Sequence, residues 1–220
     1  MRKKQFVVIG LGSFGSSVAK TLYTLGNEVL AVDSDEAIVR EIADNVTHAA
    51  QVDTSDEKSL RDLGMSNFDV AVIGIGSDVQ ASIMATLIVK ELGVKYIISK
   101  AHDEKHAKLL YKIGADRVVF VERDMGVRVA HNIFASNILD YIELSPDYNI
   151  AEIVSPDEWY GKTLRDIDVR ANYGLSVIAI KRDHDVNIAP LADDIIRPND
   201  TIIAIGATKE LSKFENIFGR

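Results

Sequence analysis

Phe6-Val7-Val8-Ile9-Gly10-Leu11-Gly12-Ser13-Phe14-Gly15 carries a short β-branched run straight into the pattern G-x-G-x-x-G. Alone that pattern is weak. Between a strand over 6–9 and a helix beginning near Ser13, it reads as the phosphate-binding turn of a βαβ unit. Each glycine then has its own task. Gly10 makes the tight turn, Gly12 lets the backbone approach a pyrophosphate, and Gly15 permits close helix–strand packing. The start of the helix offers unpaired N–H groups and a partial positive charge to phosphates. A second apolar run, Val29–Val32, ends in Asp33-Ser34. A carboxylate there, about twenty residues on, accepts hydrogen bonds from ribose hydroxyls and repels a 2′-phosphate, which disfavours NADP. The plainer reading is a tight turn with Asp33 as a helix N-cap. Loop, flanking elements and acidic residue in register favour the nucleotide.

Further apolar runs lie at His48–Val52, Val70–Ile75, Tyr96–Ser99 and Val118–Val121. Amphipathic stretches with apolar spacing of three and four separate them, such as Val18, Leu22 and Leu25. Strands that are apolar nearly throughout are buried on both faces, so they belong to a parallel sheet between helix layers. Gly26, Gly64, Gly93 and Gly114 fall where left-handed helix C-caps are expected. The fold class is therefore α/β, a Rossmann-like doubly wound sheet over 1–122. The stretch Asp124–Tyr141 predicts one longer helix, with Met125, Val129, Ile133, Ile138 and Leu139 as its apolar stripe, serving as a crossover or dimerisation helix. Glu143-Leu144-Ser145-Pro146-Asp147 reads as a linker, so 123–144 is helix and linker. From 145 to 220, strand patterns at 150–154, 175–180, 186–189 and 201–206 and a closing helix at 209–218 predict a small α+β domain.

Composition narrows the function. The chain has 220 residues and a formal net charge of −8, which opposes binding to a nucleic-acid backbone. One nucleotide in a local pocket is still compatible. There are no cysteines, so disulfides, thiolate catalysis and zinc–sulfur sites are excluded, and a reducing cytoplasm fits. The opening MRKKQFVVIG mimics a signal peptide, but its apolar stretch is too short and it lacks a cleavage site. No apolar run reaches spanning length, which makes any membrane role peripheral.

Ligands of open parallel sheets bind outside the carboxyl ends of the strands. Asp53-Thr54, Gly74-Ile75-Gly76-Ser77 and Lys100 stand there as well. Asp53, Thr54 and Ser77 read almost equally well as helix caps, and Lys100 as partner to a phosphate or to an acidic neighbour. His102 and His106, four apart, could chelate a metal, but a solvated helix face is the better reading. Trp159 and Tyr160 read as packing. No serine–histidine–carboxylate arrangement is recognisable, which argues against an oxidoreductase, although hydride transfer needs few protein groups.

The phosphate loop, the segment Lys112-Ile113-Gly114-Ala115-Asp116-Arg117-Val118, then Glu122-Arg123-Asp124-Met125-Gly126, and the tail motifs Asp168-Val169-Arg170-Ala171-Asn172-Tyr173-Gly174, Ile178-Ala179-Ile180 and Arg197-Pro198-Asn199-Asp200 together resemble the RCK/KTN (TrkA-N plus TrkA-C) regulatory subunits of bacterial potassium channels and Ktr-type uptake systems. The resemblance covers essentially the whole chain. It implies a cytoplasmic gating ring, usually an octamer built from dimers, docked under a membrane potassium-translocating subunit. It implies ATP or ADP in the N-terminal crevice at Gly10, Gly12, Ser13, Phe14, Gly15, Asp33, Ser34, Asp53, Thr54, Gly76, Ser77 and Lys100. Glu122 matches a family carboxylate associated with the phosphates and a divalent cation. Ktr-type relatives usually carry Arg where this chain has Ser13, and a serine lacks the bidentate guanidinium fork, so NAD(H) stays open as a ligand. Several related proteins bind cyclic di-AMP in the C-terminal domain. The matching positions are Ile167, Asp168, Val169, Arg170, Asn172, Ile178 and Pro190, with Arg170 pairing with a phosphate and the aliphatic residues lining the adenines. Two readings stand beside the gating subunit: an NAD-dependent oxidoreductase with a small substrate domain, and an interaction module whose nucleotide is only structural.

Overall fold

The computed structural model describes residues 4–134, 138–145, 147–183 and 185–218. The chain divides into two compact units, 1–122 and 123–220.

The first unit alternates strand and helix: β1 (Gln5–Ile9), α1 (Ser13–Thr24), β2 (Glu28–Asp33), α2 (Glu36–Ile42), β3 (His48–Gln51), α3 (Glu57–Asp62), β4 (Val70–Ile73), α4 (Val79–Glu91), β5 (Tyr96–Lys100), α5 (Glu104–Lys112) and β6 (Arg117–Val119). All pairings are parallel, in the order β3-β2-β1-β4-β5-β6. The apolar strand runs explain this. Val7, Ile9, Val32 and Ile73 pack into one core, and Val8, Ala31 and Val72 from the same strands pack into another. Successive side chains point to opposite faces, so two cores on alternating residues mean a sheet covered on both sides. The chain reverses direction across the sheet between β1 and β4, which is where such sheets bind ligands. The four glycines expected after helices all have positive φ.

The second unit begins within α6 (Val121–Phe134) and contains β7 (Ile138–Ser145), β8 (Tyr148–Val154), α7 (Leu164–Ile167), α8 (Val169–Tyr173), β9 (Ser176–Arg182), β10 (Asp185–Ile188), β11 (Thr201–Ala207) and α9 (Thr208–Phe218). Its five strands form an antiparallel sheet in the order β10-β9-β11-β8-β7. Trp159, Ile167, Val169, Leu175, Ile202, Leu211 and Phe214 fill its core, where Trp159 and Phe214 rings meet edge to face at 5.6 Å. Trp159 is thus packing, as the sequence predicts.

One expectation fails. Residues 124–141 are not one helix. α6 ends at Phe134, and 138–145 pair with β8, with Ile142 opposite Ile150. The apolar stripe steps by four from Met125 to Ile133 and then by five to Ile138, which leaves a helical face. Glu143, Leu144 and Ser145 accordingly belong to a strand and not to a linker, while Pro146 lies outside the described residues. Among the described residues, no helix is long and apolar enough to cross a membrane.

Candidate functional site

The phosphate-loop glycines are held by the sheet. Gly10 has φ +88° and donates its N–H to the Val32 carbonyl at 2.9 Å. A Cβ on Gly15 would stand 1.9 Å from the Gly10 carbonyl oxygen, so α1 packs closer to the loop than any side chain permits. Gly74 at the end of β4 fits the same contact, its own Cβ position lying 2.7 Å from that oxygen. Gly12 differs. Its backbone is extended at φ −60°, and a Cβ there would meet nothing within 4 Å. Nothing in the protein requires a glycine at 12, and the space above it is open.

The helix starts point the same way. Asp35, Asp56, Asp78 and Asp103 cap α2, α3, α4 and α5, each accepting a hydrogen bond from the helix backbone. α1 starts at Gly12 with no side-chain cap and no acidic residue in its first turn. The first N–H groups of a helix have no partner within it. At α1 they face the open space over Gly12, where an anion fits their charge and geometry.

The cap assignments remove the plainer readings of several residues. Asp33 is not a helix cap. Its Oδ2 accepts from the Leu11 N–H at 2.6 Å and its Oδ1 from the Asp35 N–H at 2.9 Å. One carboxylate therefore ties the glycine loop to the end of β2 and keeps further acceptor lone pairs. Ser34 and Ser77 are exposed, and neither caps a helix. Asp53 accepts from the Ser55 N–H at 2.9 Å and the Ser55 Oγ at 2.6 Å, and these bonds lower its pKa. Thr54 is buried beside it. Phe14 is half-buried and packs against the core under α1, whereas Ser13 is exposed. Gly10, Gly12, Asp33 and Gly76 thus stand at the carboxyl ends of β1, β2 and β4, around the point where the strand order reverses.

Lys100, the last residue of β5, lies across Gly76 and donates to Glu122 in the first turn of α6. Its side chain is 13% exposed and that of Glu122 is 71% exposed. The hydrogen bond from Lys100 lowers the Glu122 pKa. Of the two partners considered for Lys100, the structure shows the acidic one. Among the described residues, no group of three or more His, Asp or Glu converges as a metal site.

His106 is a correction. It is 4% exposed and not on a solvated face. Its Nδ1 accepts the His102 N–H at 3.2 Å, and its Nε2 is buried without a partner among the described residues. Burial pushes its pKa down. The signal was helical spacing, since His106 stands four residues before the fully buried Leu110.

In the second unit the expected surface set divides. Ile167 and Val169 are each 5% exposed and belong to the core. Asn172 donates to the Ile167 carbonyl at 2.7 Å and braces the turn. Asp168 sits there with φ 42° and caps α8. Arg170 and Ile178 are exposed, and Pro190 is half-buried.

A TrkA-N domain model matches residues 6–121 and a TrkA-C domain model matches residues 150–219. The Ktr system potassium uptake protein C of Bacillus subtilis is 49% identical over 213 residues, 97% of this chain and 96% of that protein. The Ktr system potassium uptake protein A of Vibrio alginolyticus is 40% identical, covering 95% of both. The RCK domain of GsuK superposes with a TM-score of 0.68 at 17% identity, covering 100% of this chain and 48% of that one, about half its length. That likeness carries the fold alone. Matched by both domain models and alike along nearly its whole length to two Ktr proteins, the chain belongs to the TrkA-N/TrkA-C family that includes the Ktr system potassium uptake proteins.

Proposed function

We propose that the chain is a nucleotide-sensing regulatory subunit of a Ktr-type potassium uptake system, with no catalytic turnover of its own. The observation that carries this reading is the uncapped start of α1. Four neighbouring helices are closed by aspartates, and the fifth is left open behind a glycine the protein does not need. An adenine nucleotide, ATP or ADP, supplies the missing anion. The α1 N–H groups hold its phosphates, Asp33 takes the ribose, and Lys100 turns from Glu122 to the phosphates. Glu122 is then released for a divalent cation. The relatives' names support the potassium uptake system, and we assign with it a membrane potassium-translocating partner and a place on the cytoplasmic face.

Two nucleotides regulate such a subunit only through a difference in their affinity for two shapes. The bistable element we assign is a homo-oligomer, an octameric ring assembled from dimers. α6 supports self-association, because Met125, Val127 and Val129 are about half exposed along it. A second effector, cyclic di-AMP, is assigned to the C-terminal domain over 145–220, at Asp168, Arg170, Ile178 and Pro190. Arg170→Ala is expected to weaken cyclic di-AMP binding at least tenfold, about the value of a charge-assisted hydrogen bond, and to leave ATP affinity unchanged. Parallel calorimetric titrations of the variant check this, and loss of both ligands means misfolding.

The deciding experiment is calorimetric titration with ATP, ADP, NADH and cyclic di-AMP separately, alongside a turnover assay with each nucleotide. NADH belongs in the set because the GsuK channel, a fold neighbour, has been seen bound to NAD. Micromolar ATP or ADP binding without turnover supports the regulatory subunit. Selective NADH binding with hydride transfer overturns it in favour of an oxidoreductase.

A further inference from the structure

The end of the parallel sheet away from the phosphate loop is not fully covered. α3 has only six residues and stops at the left-handed Gly64, so it leaves a gap over β2 and β3 near their amino ends, floored by the buried Leu30. A groove of about 610 Å³ opens there. Leu30, Ala50, Leu63 and Phe68 give it an apolar lining continuous with the core below. Ala50 keeps it deep, because a larger residue on the edge strand would fill the space.

Among the described lining residues, the acidic side chains carry one sign of charge. Glu28 and Asp62 line the groove with His48, and no lysine or arginine does so among the described residues. Asp62 is the last residue of α3 and is exposed. A carboxylate at that end of a helix faces the negative pole of the backbone dipoles, which is its least favourable place. The neighbouring Arg61 is engaged one turn back with Glu57. Among the described residues, Glu28 accepts from a neutral partner, the Gln5 amide at 2.9 Å. Two carboxylates and a helix end over an apolar concavity focus negative potential into it.

We propose that this groove is a second ligand site that takes a small organic cation, an ammonium, amidinium or guanidinium group on an apolar body. Its volume is in the range of small-molecule pockets. The apolar body covers Leu30, Leu63 and Phe68, and the cationic head pairs with Asp62 and Glu28. A neutral molecule of the same shape loses the ion pairs, and an anion is repelled. Gln5, Glu28 and His48 are the first residues of their strands, whereas the phosphate loop lies past the last residue of β1. The two sites are separated by the length of the sheet, so nucleotide and cation bind without overlap. The assignment is independent of the regulatory reading.

Benzamidine is the probe, with benzamide and benzoate as neutral and anionic molecules of the same shape. Backbone amide shifts of the ¹⁵N-labelled full chain are followed during titration. Saturable benzamidine shifts are expected at Leu30, Ala50 and Leu63, with millimolar affinity, about −4 kcal/mol by the standard conversion. Benzamide is expected to bind at least about tenfold more weakly, and benzoate not measurably. Asp62→Asn, an exposed change at a helix end, and Glu28→Gln should each weaken benzamidine about three- to tenfold without altering the rest of the spectrum. The site is overturned if benzamidine and benzamide bind equally, if neither variant changes the affinity, or if the saturable shifts fall on residues 10–15 instead.

Discussion

Gly12→Asp is expected to weaken ATP and ADP binding by a hundredfold or more, about 3 kcal/mol, and to leave the melting temperature of the protein nearly unchanged. The first half follows from charge. A carboxylate at 12 would stand where the phosphates approach the start of α1, and it would offer those N–H groups a cap of the kind Asp35 and Asp78 give their own helices. Repulsion and competition act in the same direction. The second half follows from space, since a Cβ at 12 meets nothing within 4 Å and the backbone there is in an ordinary region. Gly15→Ala is the contrasting variant. Its Cβ would lie 1.9 Å from a backbone oxygen that has nowhere to go, so it should lower stability whether or not nucleotide is present. Calorimetry paired with thermal unfolding separates the two outcomes. Retained affinity in a folded Gly12→Asp protein would remove the phosphate loop as the nucleotide site.

The first unit is legible because its signals are local. A parallel strand buried on both faces is written as an unbroken apolar run, as in Val70–Ile73, and a helix end is written as a single glycine such as Gly93. The phosphate loop is legible for the same reason: its glycines stand in one short stretch. Legibility is lost where partners are distant in sequence. Lys100 and Glu122 are 22 residues apart, and no spacing rule joins them. The same holds for Asp33 and Leu11, where a carboxylate read as a ribose ligand also holds the loop itself. β7 was hidden by an amphipathic pattern that strand and helix share over a few residues, until the five-residue step from Ile133 to Ile138. The burial of Ile167 and Val169 was illegible for a different reason. A motif gives residue types in order but not the face each one takes, and the left-handed turn at Asp168 sends both neighbours inward. The groove beneath α3 had no sequence signal, because it arises from what a short helix fails to cover.

Asp200→Asn is expected to destabilise the C-terminal unit by about 2–3 kcal/mol, the range for losing a charged partner from a buried pair, discounted because one partner reaches solvent. The Asp200 side chain is fully buried, and the Arg182 side chain is 38% exposed. Arg182 donates to both carboxylate oxygens at 2.7 Å, and the Arg197 N–H adds a third bond at 2.8 Å. The asparagine keeps the shape but turns an amide N–H₂ toward donors, which leaves buried groups unpaired. The same contacts give the substitution a pH signature. Burial by itself raises the Asp200 pKa, but the bonds from Arg182 and Arg197 outweigh it and hold the carboxyl below its ordinary value of 3.8. A carboxyl that is depressed on folding contributes its stability above the unfolded-state value and loses it as pH falls through the folded-state value. The parent protein should therefore lose this contribution below about pH 4, and the variant, lacking it already, should show a shallower fall in stability over that range. Trp159, the chain's single tryptophan, is buried in this core, so its fluorescence during urea unfolding reports on the unit that contains Asp200. Equal acid slopes in the two proteins would mean that the buried pair makes no net contribution to stability and that the unit is held by its aromatic core alone.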